Sequence, residues 1–457
     1  MLNYIKEAAQ VKPSQKQLNW YAMESYAFIH FGMNTFTDKE WGDGTENPTI
    51  FNPEKLDCNQ WVDAIKSAGM KGMVLTAKHH DGFCLWPSKY TEHSVKNSPC
   101  KRDVVKEAAE ACRRGGIKFG FYLSPWDRNS RYYGSPEYND YFCNQLTELL
   151  TEYGDIFYVW FDNACGEGTN GKKQVYDFSR YFELIHRYQP EALIFNDFGP
   201  DVRWCGNEAG CARHAEWAVM PSELCYYSQV QTAPGPMAAQ GNLDFLYNTE
   251  KELGTLSNIL YSKGLTFTPA EINMSIRPGW FWHREEKPHS LERLFQTYLI
   301  SVGANSCLHL NLPPTREGLI DERDVQRLKE LGALLEKEFG KEIPVSVEKA
   351  ECAPLTQPLY NIVLEKPMKG IKYVVLQEDI AQGQRVESFR ITADFTSGAQ
   401  YPIYQGTCIG NKKICQLQSP FEEQNPLQDD STDWVSRIQV KVTAARDEVV
   451  MKSIRIY

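Results

Sequence analysis

Several apolar runs of the sequence end in, or close to, a polar side chain that could do chemistry. The runs are YAFIHFG, GMVLTAKHH, IKFGFYLSP and IFYVWFDN, and the side chains are His30, His79, His80, Tyr122 and Asp162. A carboxylate directly after IFYVWF costs free energy unless it is solvated, hydrogen-bonded or used in a reaction. If the runs are strands of a parallel barrel, their carboxyl ends meet at the face where barrel enzymes hold their catalytic groups. We therefore predict that Asp162 belongs to an active site.

A pair of carboxyl groups would suit hydrolysis of a glycosidic bond, in which one attacks the anomeric carbon or activates water and the other protonates the leaving oxygen. Asp162 is the first candidate. The second is Glu208, which lies in the glycine-bracketed segment RWCGNEAG near Trp204. Spacing in the sequence does not exclude three other candidates for the second carboxyl group, Glu167, Glu216 and Glu271. For a retaining enzyme we expect carboxyl groups about 5 to 5.5 Å apart, Asp162 ionised and the pKa of Glu208 raised.

The adjacent residues His79 and His80 could instead bind a metal ion. However, successive side chains of an extended strand point to opposite faces, and the sequence has neither an HExxH motif nor a facing Asp cluster. It also has no GxGxxG or GxxxxGKS/T motif after a strand. We therefore expect no metal and no cofactor.

The elements that would position these groups alternate between short apolar runs and amphipathic helices from residue 26 to residue 314. This alternation is typical of a parallel sheet wrapped by helices, and about eight strand signals predict an α/β fold, a (β/α)8-like TIM barrel that is somewhat irregular. Besides the four runs above, the signals are ALIFNDFG, a weak one at WAVMP or LCYYSQV, INMSIRP and NSCLHLNLPP.

Four helices between the strands are indicated by apolar residues that share one face. They are predicted over residues 53–68, over 102–114, around the stripe Leu146, Leu149, Leu150 and Tyr153, and from about Gln174 to the residue before Pro190. A glycine directly follows the first three, as is typical of a helix C-terminus.

The pattern changes after a predicted helix from Glu322 to Phe339. Six alternating runs then read as strands: VSVEK, LYNIVLE, IKYVVLQE, ESFRITADF, WVSRIQVKVTA and VVMKSIRIY. We predict a catalytic barrel over residues 1–340 and a C-terminal β-sandwich over residues 345–457. Packing against the barrel is the favoured role of the sandwich, ahead of carbohydrate binding.

Composition and net charge limit the kinds of molecule that the protein is expected to bind. The 457 residues are 42% hydrophobic and 24% charged, values typical of a globular protein. The formal charge of -10 and the absence of a basic cluster among aromatic residues disfavour nucleic acid and anionic membranes. The sequence contains no run of 18 apolar residues, so it predicts no membrane-spanning helix. The 13 cysteines include no CxxC motif, so we expect mostly reduced, buried thiols, and no pattern predicts an oligomeric state.

Four long segments resemble glycoside hydrolase family 29, the α-L-fucosidases: HFGMNTFTDKEWGDG, LTAKHHDGFCLWPSKYTEHSV, KFGFYLSPWDRN and VWFDNACGEG. Three later segments, DVRWCGNEAG, AEINMSIRPGWFWH and NLPPTREG, resemble the subgroup that prefers branched α-1,3 and α-1,4 fucosides. The resemblance implies a barrel with a β-sandwich and retaining hydrolysis of terminal α-L-fucose from a fucosylated oligosaccharide or glycoconjugate. It makes Asp162 the nucleophile and Glu208 the acid/base.

The family's sugar pocket corresponds to His30, Glu40, Trp41, His79, His80 and Tyr122. The resemblance also places Trp280 or Trp282 near the fucose methyl, and it requires no metal. One position departs from the pattern, since Asn273 stands where similar sequences often carry Asp. Because fucosylated glycans occur outside cells, we expect a periplasmic or secreted enzyme, although the first residues lack the apolar core of a signal peptide and a cytoplasmic location stays open.

Two other functions stay open. A barrel glycosidase for another sugar, such as an α-galactosidase, would share the carboxylate pair but would need a polar partner for a hydroxymethyl group. A non-catalytic barrel protein that binds fucose would bind the sugar without turnover.

Overall fold

The structure is a computed structural model that describes residues 2–225, 249, 252–260, 262–351, 353–421 and 433–457. Of the weak strand signal LCYYSQV, only Leu224 and Cys225 are included, and the rest lies outside the described residues. Within the described ranges, no helix is both long and apolar enough to cross a membrane.

Eight parallel strands form a nearly closed barrel, which confirms the predicted fold class. The first ten strands of the chain are β1 Ser25–Ile29, β2 Gly72–Lys78, β3 Lys118–Leu123, β4 Tyr158–Trp160, β5 Leu193–Phe195, β6 Arg203–Trp204, β7 Val219–Pro221, β8 Leu265–Phe267, β9 Ala270–Ser275 and β10 Cys307–Asn311. The barrel order is β5-β4-β3-β2-β1-β10-β9-β6, and a parallel bridge between Phe195 and Val202 joins its two ends.

The sixth barrel strand differs from the prediction. The signal WAVMP contributes β7, but β7 pairs antiparallel with β8 in a separate two-stranded sheet, and the barrel position is taken by the two-residue β6. The first residue of β6, Arg203, is fully buried and forms an ion pair with Glu216. A strand of two residues that contains a charge leaves no alternating apolar signal, so the sequence pattern does not reveal it.

Ten α-helices lie in the described chain: α1 Leu2–Ala9, α2 Gln15–Tyr21, α3 Met33–Thr37, α4 Cys58–Ser67, α5 Val104–Gly115, α6 Glu137–Glu152, α7 Phe178–Tyr188, α8 Leu256–Ile259, α9 Leu291–Ser301 and α10 Glu322–Phe339. The five predicted helices are α4 to α7 and α10, but α4 and α7 begin later than predicted. The carboxylate of Asp57 accepts from the backbone N–H of Asn59, and that of Asp177 accepts from the N–H of Arg180. Each capping Asp therefore sets the start of its helix.

The C-terminal part contains two antiparallel sheets that share an apolar core, as predicted for a β-sandwich. Its strands are β11 Val345–Lys349, β12 Leu359–Met368, β13 Tyr373–Glu378, β14 Val386–Phe395, β15 Gln400–Gly406, β16 Lys413–Gln416, β17 Val435–Ala445 and β18 Met451–Ile456. One sheet has the order β11-β12-β17-β14-β15 and the other β16-β13-β18. Strands β15 and β16 are additions to the six predicted runs. Phe339 at the end of α10 packs on Tyr373, with 4.8 Å between ring centroids.

Candidate active site

A cavity opens at the carboxyl ends of the barrel strands. Its volume is about 180 Å³, smaller than the roughly 300 Å³ at the low end of drug-sized pockets. The lining residues are Phe28, His30, Glu40, Trp41, His79, His80, Tyr122, Trp160, Asp162, Ala164, Asp197, Trp204, Glu208, Asn273 and Trp280. Nine of the ten site residues predicted from the sequence are therefore brought together, and Trp282 is the one left outside.

Asp162 lies two residues beyond β4 and is held at both carboxylate oxygens. Oδ1 accepts from the backbone N–H of Ala164 at 2.7 Å, and Oδ2 accepts from the Tyr122 hydroxyl at 3.2 Å. The His80 Nε2 atom lies 3.8 Å from Oδ2. The side chain keeps 28% of its surface exposed, so an oxygen of a fixed carboxylate is accessible from the cavity.

Glu208 lies in the loop after β6, at the open side of the same cavity. Its Oε2 accepts a hydrogen bond from the Trp280 indole N–H at 3.2 Å. Partial desolvation raises the pKa of this carboxyl group, and repulsion from Asp162 and Glu40 adds to the rise, while the bond from Trp280 opposes it. A raised pKa is what a general acid needs in order to hold a proton at rest.

Three histidines line the same cavity, and each forms a hydrogen bond through its Nδ1 atom. The partners are Asn311 Oδ1 for His30 at 2.8 Å, Asn34 Nδ2 for His79 at 3.2 Å and Ser124 Oγ for His80 at 2.8 Å. A hydrogen bond at one ring nitrogen fixes the orientation of the other.

Burial keeps these three imidazoles uncharged. Desolvation lowers the pKa of His30 to about 3 and that of His79 well below its usual value. It also lowers the pKa of His80, although the nearby carboxylate of Asp162 opposes the change. A neutral imidazole can either donate or accept at its free nitrogen, so the wall offers hydrogen bonds without a net charge.

Glu40 fastens the loop after β9 to the cavity. Its carboxylate accepts from the backbone N–H of Trp280 at 2.9 Å and from that of Phe281 at 3.2 Å. It also contacts His283 Nε2 at 2.7 Å. The ring of Trp280 thereby stands 5.0 Å from that of His30. At the rim, Trp41 leaves 60% of its surface exposed.

Trp282 faces a different region. Its indole N–H donates to Asp321 at 3.3 Å, and its neighbours in a shallow surface depression include Asp38 and Arg316. Of the two tryptophans considered from the sequence, only Trp280 lines the cavity.

The three alternative acids lie outside the cavity lining. Glu216 is buried in ion pairs with Arg203 and Arg213. Glu271 is fully buried inside the barrel. Glu167 is exposed on the surface. Of the four acids considered from the sequence as the second carboxyl group, only Glu208 lines the cavity.

Sequence reasoning missed five lining residues as pocket components: Phe28, Trp160, Ala164, Asp197 and Trp204. Asp197 follows β5 as Asp162 follows β4, so the rule that singled out Asp162 could have found it. Trp160 precedes Asp162 by two residues, and side chains two apart in a strand share a face. Phe28 likewise precedes the predicted site residue His30 by two residues, so the same rule could have found it.

Among the described residues, no group of three or more His, Cys, Asp or Glu side chains is arranged to hold a metal ion. Four carboxylate residues line the cavity, Glu40, Asp162, Asp197 and Glu208, together with hydrogen-bonding imidazole rings and aromatic walls.

A parallel barrel with such a cavity at its carboxyl face has the architecture of a barrel glycoside hydrolase. The chain belongs to the α-L-fucosidase family, whose model matches residues 8–339. It is similar to the α-L-fucosidase 1 of Arabidopsis thaliana, with 38% identity over 90% of this chain and 83% of that protein.

Solved structures agree with this assignment. The crystal structure of a candidate α-L-fucosidase from Bacteroides ovatus is 42% identical, has a TM-score of 0.86, and is matched over 99% of this chain and 75% of that one. A family 29 fucosidase from Ruminococcus gnavus in complex with fucose is 27% identical, has a TM-score of 0.81, and is matched over 98% of this chain and 95% of that one.

Proposed function

We propose that this protein hydrolyses terminal α-L-fucose from glycans with retention of configuration, and that its substrates are α-1,3 and α-1,4 fucosides of branched oligosaccharides. Asp162 acts as the nucleophile and Glu208 as the acid/base. The observation that carries the proposal is the difference between two carboxyl groups on one cavity. Asp162 is fixed by two donors, whereas desolvation raises the pKa of Glu208.

The reaction follows in two balanced steps. In the first, Asp162 Oδ attacks the anomeric carbon as Glu208 donates its proton to the departing glycosidic oxygen, which gives a fucosyl ester and an ionised Glu208. In the second, Glu208 takes a proton from water, the hydroxide oxygen attacks the same carbon, and the ester bond to Asp162 breaks. We expect the two carboxyl groups about 5 to 5.5 Å apart in the substrate complex.

The cavity wall suits a deoxy sugar. Fucose presents ring hydroxyls and one methyl group, so it needs both hydrogen-bonding and apolar surfaces. The neutral rings of His30, His79 and His80 supply the first, and the rings of Trp280 and Trp160 supply the second. The small volume favours a single terminal residue, and the fucose complex of the R. gnavus relative supports that choice of sugar.

The rim supports the proposed linkage preference. Trp41 is exposed there, and Glu208 lies in a loop beside Trp204. The part of the oligosaccharide that is joined to the fucose extends across this rim, where the faces of its sugars can stack on the flat rings of the tryptophans. The match of DVRWCGNEAG to the subgroup for branched fucosides points the same way.

A comparison of matched aryl glycosides tests the identity of the sugar. We expect the 4-nitrophenyl α-L-fucoside to be cleaved about 10²-fold faster, in kcat/KM, than the α-L-galactoside, which differs only by a hydroxyl on the methyl group. The α-D-galactoside should be cleaved more slowly still. Faster release of galactose than of fucose would refute the proposal, and measurable fucose binding without turnover would favour the non-catalytic alternative.

The bond from Trp280 to Glu208 predicts a pH effect. Because this bond lowers the pKa of Glu208, Trp280→Phe should raise it, and the alkaline limb of kcat/KM should move to higher pH. Trp282→Phe is the matched control, since Trp282 bonds to Asp321 outside the cavity and should leave the limb in place. The measurement is the pH profile of fucose release. An alkaline limb at the same pH in Trp280→Phe as in the parent would argue against Glu208 as the titrating acid.

A further inference from the structure

A buried carboxylate lies beneath the cavity, inside the barrel. Glu271 on β9 is fully buried and accepts five hydrogen bonds. Its donors are the Tyr26 hydroxyl, the Tyr158 hydroxyl at 2.6 Å, Trp160 Nε1 at 2.9 Å, Asn273 Nδ2 at 2.7 Å and His309 Nδ1 at 3.0 Å. Desolvation acts to raise the pKa of Glu271, but His309 and the hydroxyl donors outweigh it and lower the pKa. The group is a charged acceptor saturated with donors.

Two of the five donors belong to residues that line the cavity, Trp160 and Asn273. The Trp160 ring is held at its Nε1 by Glu271 and stacks on Phe195, with 4.3 Å between centroids. One buried carboxylate therefore fixes both an aromatic wall and an amide of the sugar pocket.

The amide of Asn273 has one permitted orientation. An ionised carboxylate only accepts hydrogen bonds, so the NH2 group must face Glu271 and Oδ1 must face away. Asn273 is 2% exposed, and among the described residues its Oδ1 has no hydrogen-bond partner. A buried acceptor without a donor is unfavourable, and a donor supplied by a bound ligand would satisfy it.

We propose that Asn273 is a specificity residue whose Oδ1 accepts a hydrogen bond from one ring hydroxyl of the bound sugar. Glu271 is the positioning residue that sets this orientation, and it acts on the substrate through Asn273 and Trp160. The inference rests on the proposed function, since it takes the occupant of the cavity to be a fucosyl residue.

Deoxygenated substrates provide the test. The kcat/KM of the parent enzyme and of Asn273→Ala is measured on an aryl α-L-fucoside and on its 2-, 3- and 4-deoxy analogues. Removing one of the three hydroxyls should lower the kcat/KM of the parent about tenfold more than the change in intrinsic reactivity does. The kcat/KM of Asn273→Ala should not show this additional decrease. The intrinsic reactivity of each analogue is the same for both enzymes, so it cancels when their ratios of kcat/KM are compared.

The positioning role is tested with Glu271→Gln, which keeps the shape but presents an NH2 group to at least one former donor. We expect this variant to lose the same hydroxyl discrimination and to raise KM more than it lowers kcat, whereas a purely structural role would lower activity on all analogues alike. If Glu271→Gln does not fold, as judged by circular dichroism, Asn273→Ala still decides the proposal.

The outcomes separate two failures. If the parent releases fucose but Asn273→Ala keeps every analogue ratio of the parent, the role of Asn273 is refuted while the proposed function stands. If Glu271→Gln keeps the parent's discrimination, the positioning role is refuted. If the parent releases no fucose from any fucoside, the proposed function fails and the inference fails with it.

Discussion

Asp162→Ala should lower kcat for fucose release by at least about 10⁴-fold, because it removes the atom that bonds to the anomeric carbon. The neighbouring groups cannot replace it. The Tyr122 hydroxyl and the His80 ring lie 3.2 and 3.8 Å from Oδ2, but the first is a neutral donor and burial lowers the pKa of the second. The measurement is single-turnover and steady-state release of fucose from a branched oligosaccharide carrying α-1,3 or α-1,4 fucose.

Azide distinguishes loss of the nucleophile from general damage. In Asp162→Ala, azide can enter the space of the missing carboxylate and attack the anomeric carbon directly, so activity should partly return on an activated aryl fucoside with a β-fucosyl azide as product. Asp155→Ala is a surface control that should behave as the parent, because Asp155 is exposed and lies before the N-terminal end of β4. Near-parent activity of Asp162→Ala would show that another group forms the covalent bond.

Glu208→Ala should have an effect that depends on the leaving group. Release from an oligosaccharide should fall by about 10² to 10⁴-fold, because a sugar alkoxide leaves only with a proton. Release from an aryl fucoside with an acidic phenol should fall much less in the first step, so the fucosyl-enzyme should accumulate. The alkaline limb of the pH profile, which reports the raised pKa of Glu208, should disappear.

Azide again assigns the role, with the opposite stereochemistry. In Glu208→Ala, azide attacks the fucosyl-enzyme without needing base assistance, and two inversions give an α-fucosyl azide. Glu167→Ala is the matched control, since Glu167 is exposed outside the cavity and should leave activity unchanged. Near-parent cleavage of the oligosaccharide by Glu208→Ala would direct attention to Asp197, another carboxylate on the cavity wall.

The local sequence pattern predicted most of the barrel and the position of Asp162 at its carboxyl face. Apolar runs such as IFYVWF predict strands, a polar residue at the end of each run predicts the catalytic face, and glycine after an apolar stripe predicts helix ends. These signals depend on residues close together in the chain. Asp162 could therefore be selected before any contact was known, and the strands β1 to β5, β9 and β10 were predicted close to their observed positions.

Other features were decided by tertiary structure, because they depend on residues distant in sequence. The two-residue β6 exists only because it pairs with β9, and its buried Arg203 conceals the strand pattern. The choice of Trp280 over Trp282 follows from the hold of Glu40 on the backbone of residues 280 and 281.

The placement of the acids has the same origin. As sequence letters, Glu208, Glu216 and Glu271 are equivalent carboxylates. The fold exposes the first to the cavity, pairs the second with two arginines and surrounds the third with five donors. The pKa of a carboxyl group depends on its desolvation and on nearby charges. The residues that supply these charges are brought together only when the barrel closes.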